Sequence, residues 1–79
     1  MKAKVYVTLK KGVLDPQGRA VLGALKSMDF KEVKGVRIGK FMEVELDGAS
    51  REAEDKRLRE MCDRLLANPV IEDYRIEFD

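Results

Sequence analysis

The chain has 79 residues, with 16 Lys and Arg against 15 Asp and Glu for a formal charge of +1, no His, no Trp and one Cys. A chain this short buries only about 60% of the surface its unfolded form exposes, so one domain over residues 1–79 with a thin core is expected. The missing histidine excludes Ser-His-Asp and Cys-His catalysis and His-based metal sites, the lone cysteine excludes an internal disulfide, and the balanced charge argues against binding by phosphate neutralisation.

The first element is an alternating run. Ala3, Val5, Val7 and Leu9 share one face, and Lys4, Tyr6, Thr8 and Lys10 share the other, which is the period of a half-buried strand. The lysines at positions 2 and 4 interrupt any apolar signal-peptide region, and no apolar run approaches the ~20 residues that span a bilayer, so a cytoplasmic chain with no membrane partner is expected. Lys11 to Leu14 connects to a helix opened by Asp15 as N-cap and Pro16 at its first position. Ala20, Val21, Ala24, Leu25 and Met28 follow as an apolar stripe of helical period. Gly18 and Gly23 weaken that helix, and Gly23 suggests close packing on the sheet.

Residues 33–46 admit two readings. Gly39-Lys40 has the composition of a hairpin turn, yet Val36, Ile38, Met42, Val44 and Leu46 are all even-numbered and share one face only if the strand continues. A long strand kinked near Gly39 therefore stands beside a hairpin with a three-residue loop. A long strand would overhang a small sheet and offer an edge to a second subunit. Asp47-Gly48-Ala49 forms a turn, and Ser50 caps a second helix with Glu52 and Glu54 in its first turn. Leu58, Met61, Cys62 and Leu65 mark its inward face, and Asn68-Pro69 ends it. A last strand from about Val70 to Phe78 turns Tyr74, Ile76 and Phe78 inward. The order strand, helix, long strand or hairpin, helix, strand predicts an α+β fold: two helices packed on one face of a small antiparallel or mixed sheet, and a sheet-mediated oligomer.

Few residues invite chemistry. Cys62 lies on an apolar stripe with no histidine to activate it, which makes it core volume rather than nucleophile. The spacing of Gly12 and Gly18 matches neither phosphate-loop pattern. Glu43 and Glu45 share a strand face with room for cross-strand partners in Lys4, Arg37 and Arg75. The uncovered sheet face carries Tyr6, Thr8 and Phe41. One use is base stacking on RNA, although Gly39-Lys40-Phe41-Met42-Glu43-Val44-Glu45-Leu46 lacks the second glycine and central aromatic of that signature, and its glutamates oppose phosphate. Another is self-association, with Tyr6, Arg37, Phe41 and Glu43 as the face that meets a second copy. A small-molecule-binding regulatory dimer is a further alternative for this element order.

Taken together, several segments resemble one family. Val5-Tyr6-Val7-Thr8-Leu9-Lys10-Lys11-Gly12-Val13-Leu14-Asp15-Pro16-Gln17-Gly18 is similar to the opening of the PurS family. Gly35-Val36-Arg37-Ile38-Gly39-Lys40, Met61-Cys62 and Leu65-Leu66-Ala67-Asn68-Pro69-Val70-Ile71-Glu72-Asp73-Tyr74 resemble its middle and end. Ser27-Met28-Asp29-Phe30 departs from it where members more often place Leu-Gly before an aromatic, and Ala49-Ser50-Arg51 is a shorter approach to the second helix. The resemblance implies the non-catalytic small subunit of phosphoribosylformylglycinamidine synthase in purine biosynthesis. Such a subunit forms a homodimer or tetramer and bridges a glutaminase subunit and a large synthetase subunit. It assists ammonia transfer in the ATP- and glutamine-dependent conversion of formylglycinamide ribonucleotide to its amidine. ATP and Mg would be held by the synthetase, leaving this chain without cofactor, metal, catalytic residue or nucleic-acid partner. On the stretches that match best, Lys10, Lys11, Gly12, Asn68 and Pro69 are the expected partner contacts.

Overall fold

The computed structural model describes residues 1–48 and 50–79. Its elements are β1 (Lys2–Leu9), α1 (Pro16–Ser27), β2 (Gly39–Glu45), α2 (Arg51–Met61), a π-helical turn (Cys62–Leu66) and β3 (Glu72–Phe78). This is the expected α+β architecture of two helices and a three-stranded sheet, here antiparallel throughout, in the order β2-β1-β3.

The most regular alternation in the chain belongs to the central strand. Ala3, Val5 and Val7 point to the helix side and are buried. In register, Val44 and Phe78 flank Ala3, and Met42 and Ile76 flank Val5. α2 and its π turn cover this face, adding Leu58, Cys62 and Ala67 to the buried core. Backbone groups of Met1 and Leu46 exchange hydrogen bonds beyond the end of the β1–β2 ladder.

Residues 33–46 form neither a hairpin nor one long paired strand. β2 begins at Gly39, and among the described residues the run from Val33 to Ile38 has no strand partner. The phase argument nevertheless holds, because Val36, Ile38, Met42, Val44 and Leu46 are all half-buried while their odd-numbered neighbours are exposed. The expected turn at Asp47-Gly48-Ala49 falls partly on Ala49, outside the described residues.

The inward face of the second helix differs from expectation at one position. Leu58 and Cys62 are fully buried, but Leu65 is 83% exposed, and Leu66 and Ala67 take the inward place. The cause is the π turn, closed by the Ala67 N–H donating to the Cys62 carbonyl five residues back at 2.9 Å. A wider turn rotates later side chains away from the 3.6-residue stripe on which Leu65 was placed. β3 likewise starts at Glu72 rather than near Val70, which is exposed.

The larger difference concerns α1. Its apolar residues are absent from the core cluster, with Val21 39% and Met28 65% exposed, and only Leu22 and Leu25 half-buried. The reading of both helices on one sheet face therefore holds for α2 and not for α1 within this chain. The molecule measures 50 × 25 × 14 Å, with a radius of gyration of 15.9 Å. A compact chain of this length would have about 12 Å. Its accessible surface is 6056 Å², against roughly 4,900 Å² expected for a compact monomer of this mass.

Candidate functional site

The two segments expected to meet partners are neighbours in space. Leu9 at the end of β1 lies opposite Glu72 at the start of β3, so the Lys10-Lys11-Gly12 loop emerges beside the Asn68-Pro69 connection. The Lys10 N–H donates to the Ile71 carbonyl at 2.8 Å, and its Nζ lies 2.6 Å from Asp73 Oδ1. Lys11 is exposed. Gly12 has φ +86°, a left-handed conformation that favours glycine, and lies within a turn in which Val13 N–H donates to the Lys10 carbonyl at 3.2 Å.

Asn68 organises the other segment. Its Oδ1 accepts from Val70 N–H at 3.0 Å, and its carbonyl accepts from Ile71 and Glu72 N–H at 3.1 and 2.7 Å. This is the local bonding that makes Asn a turn residue. Its own N–H donates to Glu72 Oε1 at 2.6 Å, while the other carboxylate oxygen of Glu72 is 3.8 Å from Lys40 Nζ. Pro69 stands exposed beside them. Sequence reasoning missed Lys40, Glu72 and Asp73, the side chains that tie this end together. A usable signal existed for Lys40, because its even number puts it in phase with Met42 and Val44 on the inward face.

The uncovered sheet face gathers Tyr6, Phe41 and Glu43, as expected. Register sets Phe41 and Arg75 on either side of Tyr6. The Tyr6 and Phe41 rings lie 5.1 Å apart, and the Arg75 guanidinium stands 4.2 Å from the Tyr6 ring centroid. Tyr6 donates its hydroxyl proton to Glu77 at 3.3 Å. Glu43 pairs with Lys2 at 2.9 Å, and this bond and charge raise the Lys2 ammonium above its ordinary range. Lys4 pairs with Asp79 at 3.4 Å. These pairs are solvent-exposed and contribute little to stability. Arg37 does not join them. It precedes β2, and its guanidinium donates to the Leu9 carbonyl.

Asp15 does more than cap α1. One carboxylate oxygen accepts from Gly18 N–H at 2.9 Å, and the other accepts from Ile38 N–H, 23 residues on, at 3.0 Å. Those two backbone bonds, led by the one from Ile38 and helped by the Arg37 charge, hold its carboxyl below the usual range. Gly18 allows the approach. A Cβ there would fall 2.4 Å from the Val36 carbonyl oxygen, whereas Gly23, the glycine expected at a close contact, has open space around it. Cys62 is fully buried, and burial, with a smaller contribution from Asp63, pushes its thiol up, which suits packing rather than attack. No helix among the described residues is long and apolar enough to cross a membrane.

Three surfaces are thus left open: a loop pair at one end, an aromatic and charged sheet face, and a helix outside the core cluster. The PurS family, phosphoribosylformylglycinamidine (FGAM) synthase, matches residues 2–79. The phosphoribosylformylglycinamidine synthase subunit PurS of Bacillus subtilis is 56% identical over 78 residues, 99% of this chain and 92% of that protein. The PurS crystal structure from Methanocaldococcus jannaschii superposes with a TM-score of 0.86 at 43% identity, covering 96% of this chain and 92% of that one. A chain in the structure of PurLQS from Thermotoga maritima gives a TM-score of 0.88 at 29% identity, over 96% and 93% of the two chains. Matched in sequence and in fold over nearly its whole length, the chain belongs to the PurS family.

Proposed function

We propose that this chain is the small, non-catalytic subunit of a cytoplasmic phosphoribosylformylglycinamidine synthase and acts as one unit over residues 1–79. It works as a sheet-mediated homodimer or tetramer that bridges the glutaminase and the large synthetase and assists ammonia transfer between them. ATP and Mg are held by the synthetase, and the chemistry belongs to the two large subunits. The Thermotoga maritima relative, solved within PurLQS, supports the assembly reading.

The observation that carries it is the surface left open in the single chain. The stripe of α1 lies outside the core, the run from Val33 to Ile38 has no strand partner among the described residues, and about 1,200 Å² more surface is exposed than a compact monomer would show. A standard interface removes about 800 Å² from each partner, so the excess is of the size that association covers. The loop pair at Lys10, Lys11, Gly12, Asn68 and Pro69 supplies contacts to the larger subunits. Tyr6, Phe41 and Glu43 supply a second face for self-association. The physical task is geometric: only neutral ammonia is a nucleophile, so two active sites held in register with water excluded lose less of it.

The test is reconstitution. With both large subunits present, omitting this chain should lower the glutamine-dependent rate of amidine formation while sparing the rate driven by added ammonium salt. An unchanged glutamine-dependent rate in its absence would overturn the reading.

A further inference from the structure

α1 stands apart from the core cluster, yet it leaves the sheet in one direction, and the bonds that set this direction are few. At its N-terminus the chain touches the run before β2 through Asp15, whose two carboxylate oxygens divide their work: one accepts from Gly18 N–H within the helix, the other from Ile38 N–H outside it. The backbones there are in such close approach that a Cβ on Gly18 would meet the Val36 carbonyl. The next residue of that run, Arg37, reaches back to the Leu9 carbonyl at the end of β1. The helix start, the run before β2 and the end of the central strand are thus tied in sequence, with Asp15 as the link that reaches the helix.

We infer that Asp15 is a positioning residue, a two-armed clasp whose Ile38 arm fixes the direction of α1 against the sheet, beyond the ordinary task of capping the helix. A helix cap needs one acceptor, and Ser or Asn serves as well as Asp for that. A clasp needs two acceptors spread across a carboxylate, which among the common caps Asp alone provides. In Asn one of the two positions becomes an NH₂ group, which faces a backbone donor with another donor. Ser has one short oxygen that reaches its own third residue and no further. The inference is independent of the assembly reading, because it concerns bonds within one chain.

These substitutions separate the two roles. Spin labels at Lys26→Cys on α1 and Arg57→Cys on α2, in a Cys62→Ala background and diluted with unlabelled protein, report the direction of α1 as a distance distribution. Circular dichroism reports helix content in the same samples, and amide exchange follows Ile38 and Gly18 separately. With Asp15 in place, one narrow distance peak is expected. Asp15→Ser should keep the helix content and the protection of the Gly18 amide, lose the protection of the Ile38 amide, and broaden the distance distribution. Asp15→Ala should lose both protections and lower the helix content as well. A distribution that stays narrow in Asp15→Ser, with the Ile38 amide unprotected, would overturn the clasp and leave Asp15 a cap alone. Should Asp15→Ser lower the helix content, Asp15→Asn decides by the same comparison: broadening with the helix retained supports the clasp, and a narrow peak overturns it.

Discussion

Asp15 shows how one side chain converts backbone donors into a pH response. Its carboxyl is held below the usual range by the Ile38 and Gly18 N–H groups, with Arg37 adding charge. The folded state therefore binds the proton less readily than the unfolded chain, whose aspartates titrate at about 3.9. The stability this group contributes is fully present above that value and is lost as the pH falls through the lower folded value. The stability gap between the native chain and Asp15→Asn should accordingly be constant near neutrality and shrink below about pH 4. Urea unfolding of both proteins across the acid range measures it, and a gap that widens on acidification would contradict the assignment. Another feature at this scale is Asp29, which takes a left-handed conformation (φ 74°) just after α1, a position where helices commonly end on glycine.

Among the elements, the second helix is the one whose detail the structure changed. Its α-helical part follows from Ser50, which accepts from Ala53 N–H, from the acidic residues of its first turn, and from Leu58. Its end does not, because a π turn shifts the inward position from Leu65 to Leu66. The two leucines should therefore respond differently to the same charge. Leu65→Lys should change stability by no more than about 0.5 kcal/mol, as at ordinary surface positions. Leu66→Lys should cost at least about 2 kcal/mol, because it removes packing from the core and brings an ammonium toward it. Denaturant midpoints of the two variants decide the matter, and equal losses would argue for a regular α-helix through residue 66. β1 needed no such correction, since its strict alternation admits one arrangement of faces.

For the molecule as a whole, the excess surface and the length of 50 Å support the proposed association. Leu25→Glu combined with Met28→Glu alters a helix face that contributes nothing to the core cluster. The proposed oligomer should then fall to a smaller species while the sheet signal in circular dichroism persists, because the Tyr6, Phe41 and Glu43 face is untouched. Sedimentation velocity provides the check: a native chain that already sediments as a monomer, or a double variant as large as the native species, would remove α1 from the interface.

Much of this was legible in the residues. The alternation of β1, the even-numbered phase of Val36 to Leu46, the caps at Asp15 and Ser50 and the stop at Asn68-Pro69 are local patterns, set by the chain's own periodicity and backbone bonding. The family, too, is written in contiguous segments. Sequence determined the order of the elements and the inward faces of β1, of β2 and of α2 up to residue 62. Tertiary structure alone decided that α1 stays off the sheet, that Leu65 faces outward, that Arg37 serves the Leu9 carbonyl rather than the sheet face, and that Asp73 holds Lys10 while Glu72 reaches Lys40. Leu65 is turned outward by the local bond between Ala67 N–H and the Cys62 carbonyl, and the other three share one reason. An apolar stripe or a charge specifies that a side chain needs a partner, but which partner it meets depends on groups far along the chain, or on another chain altogether.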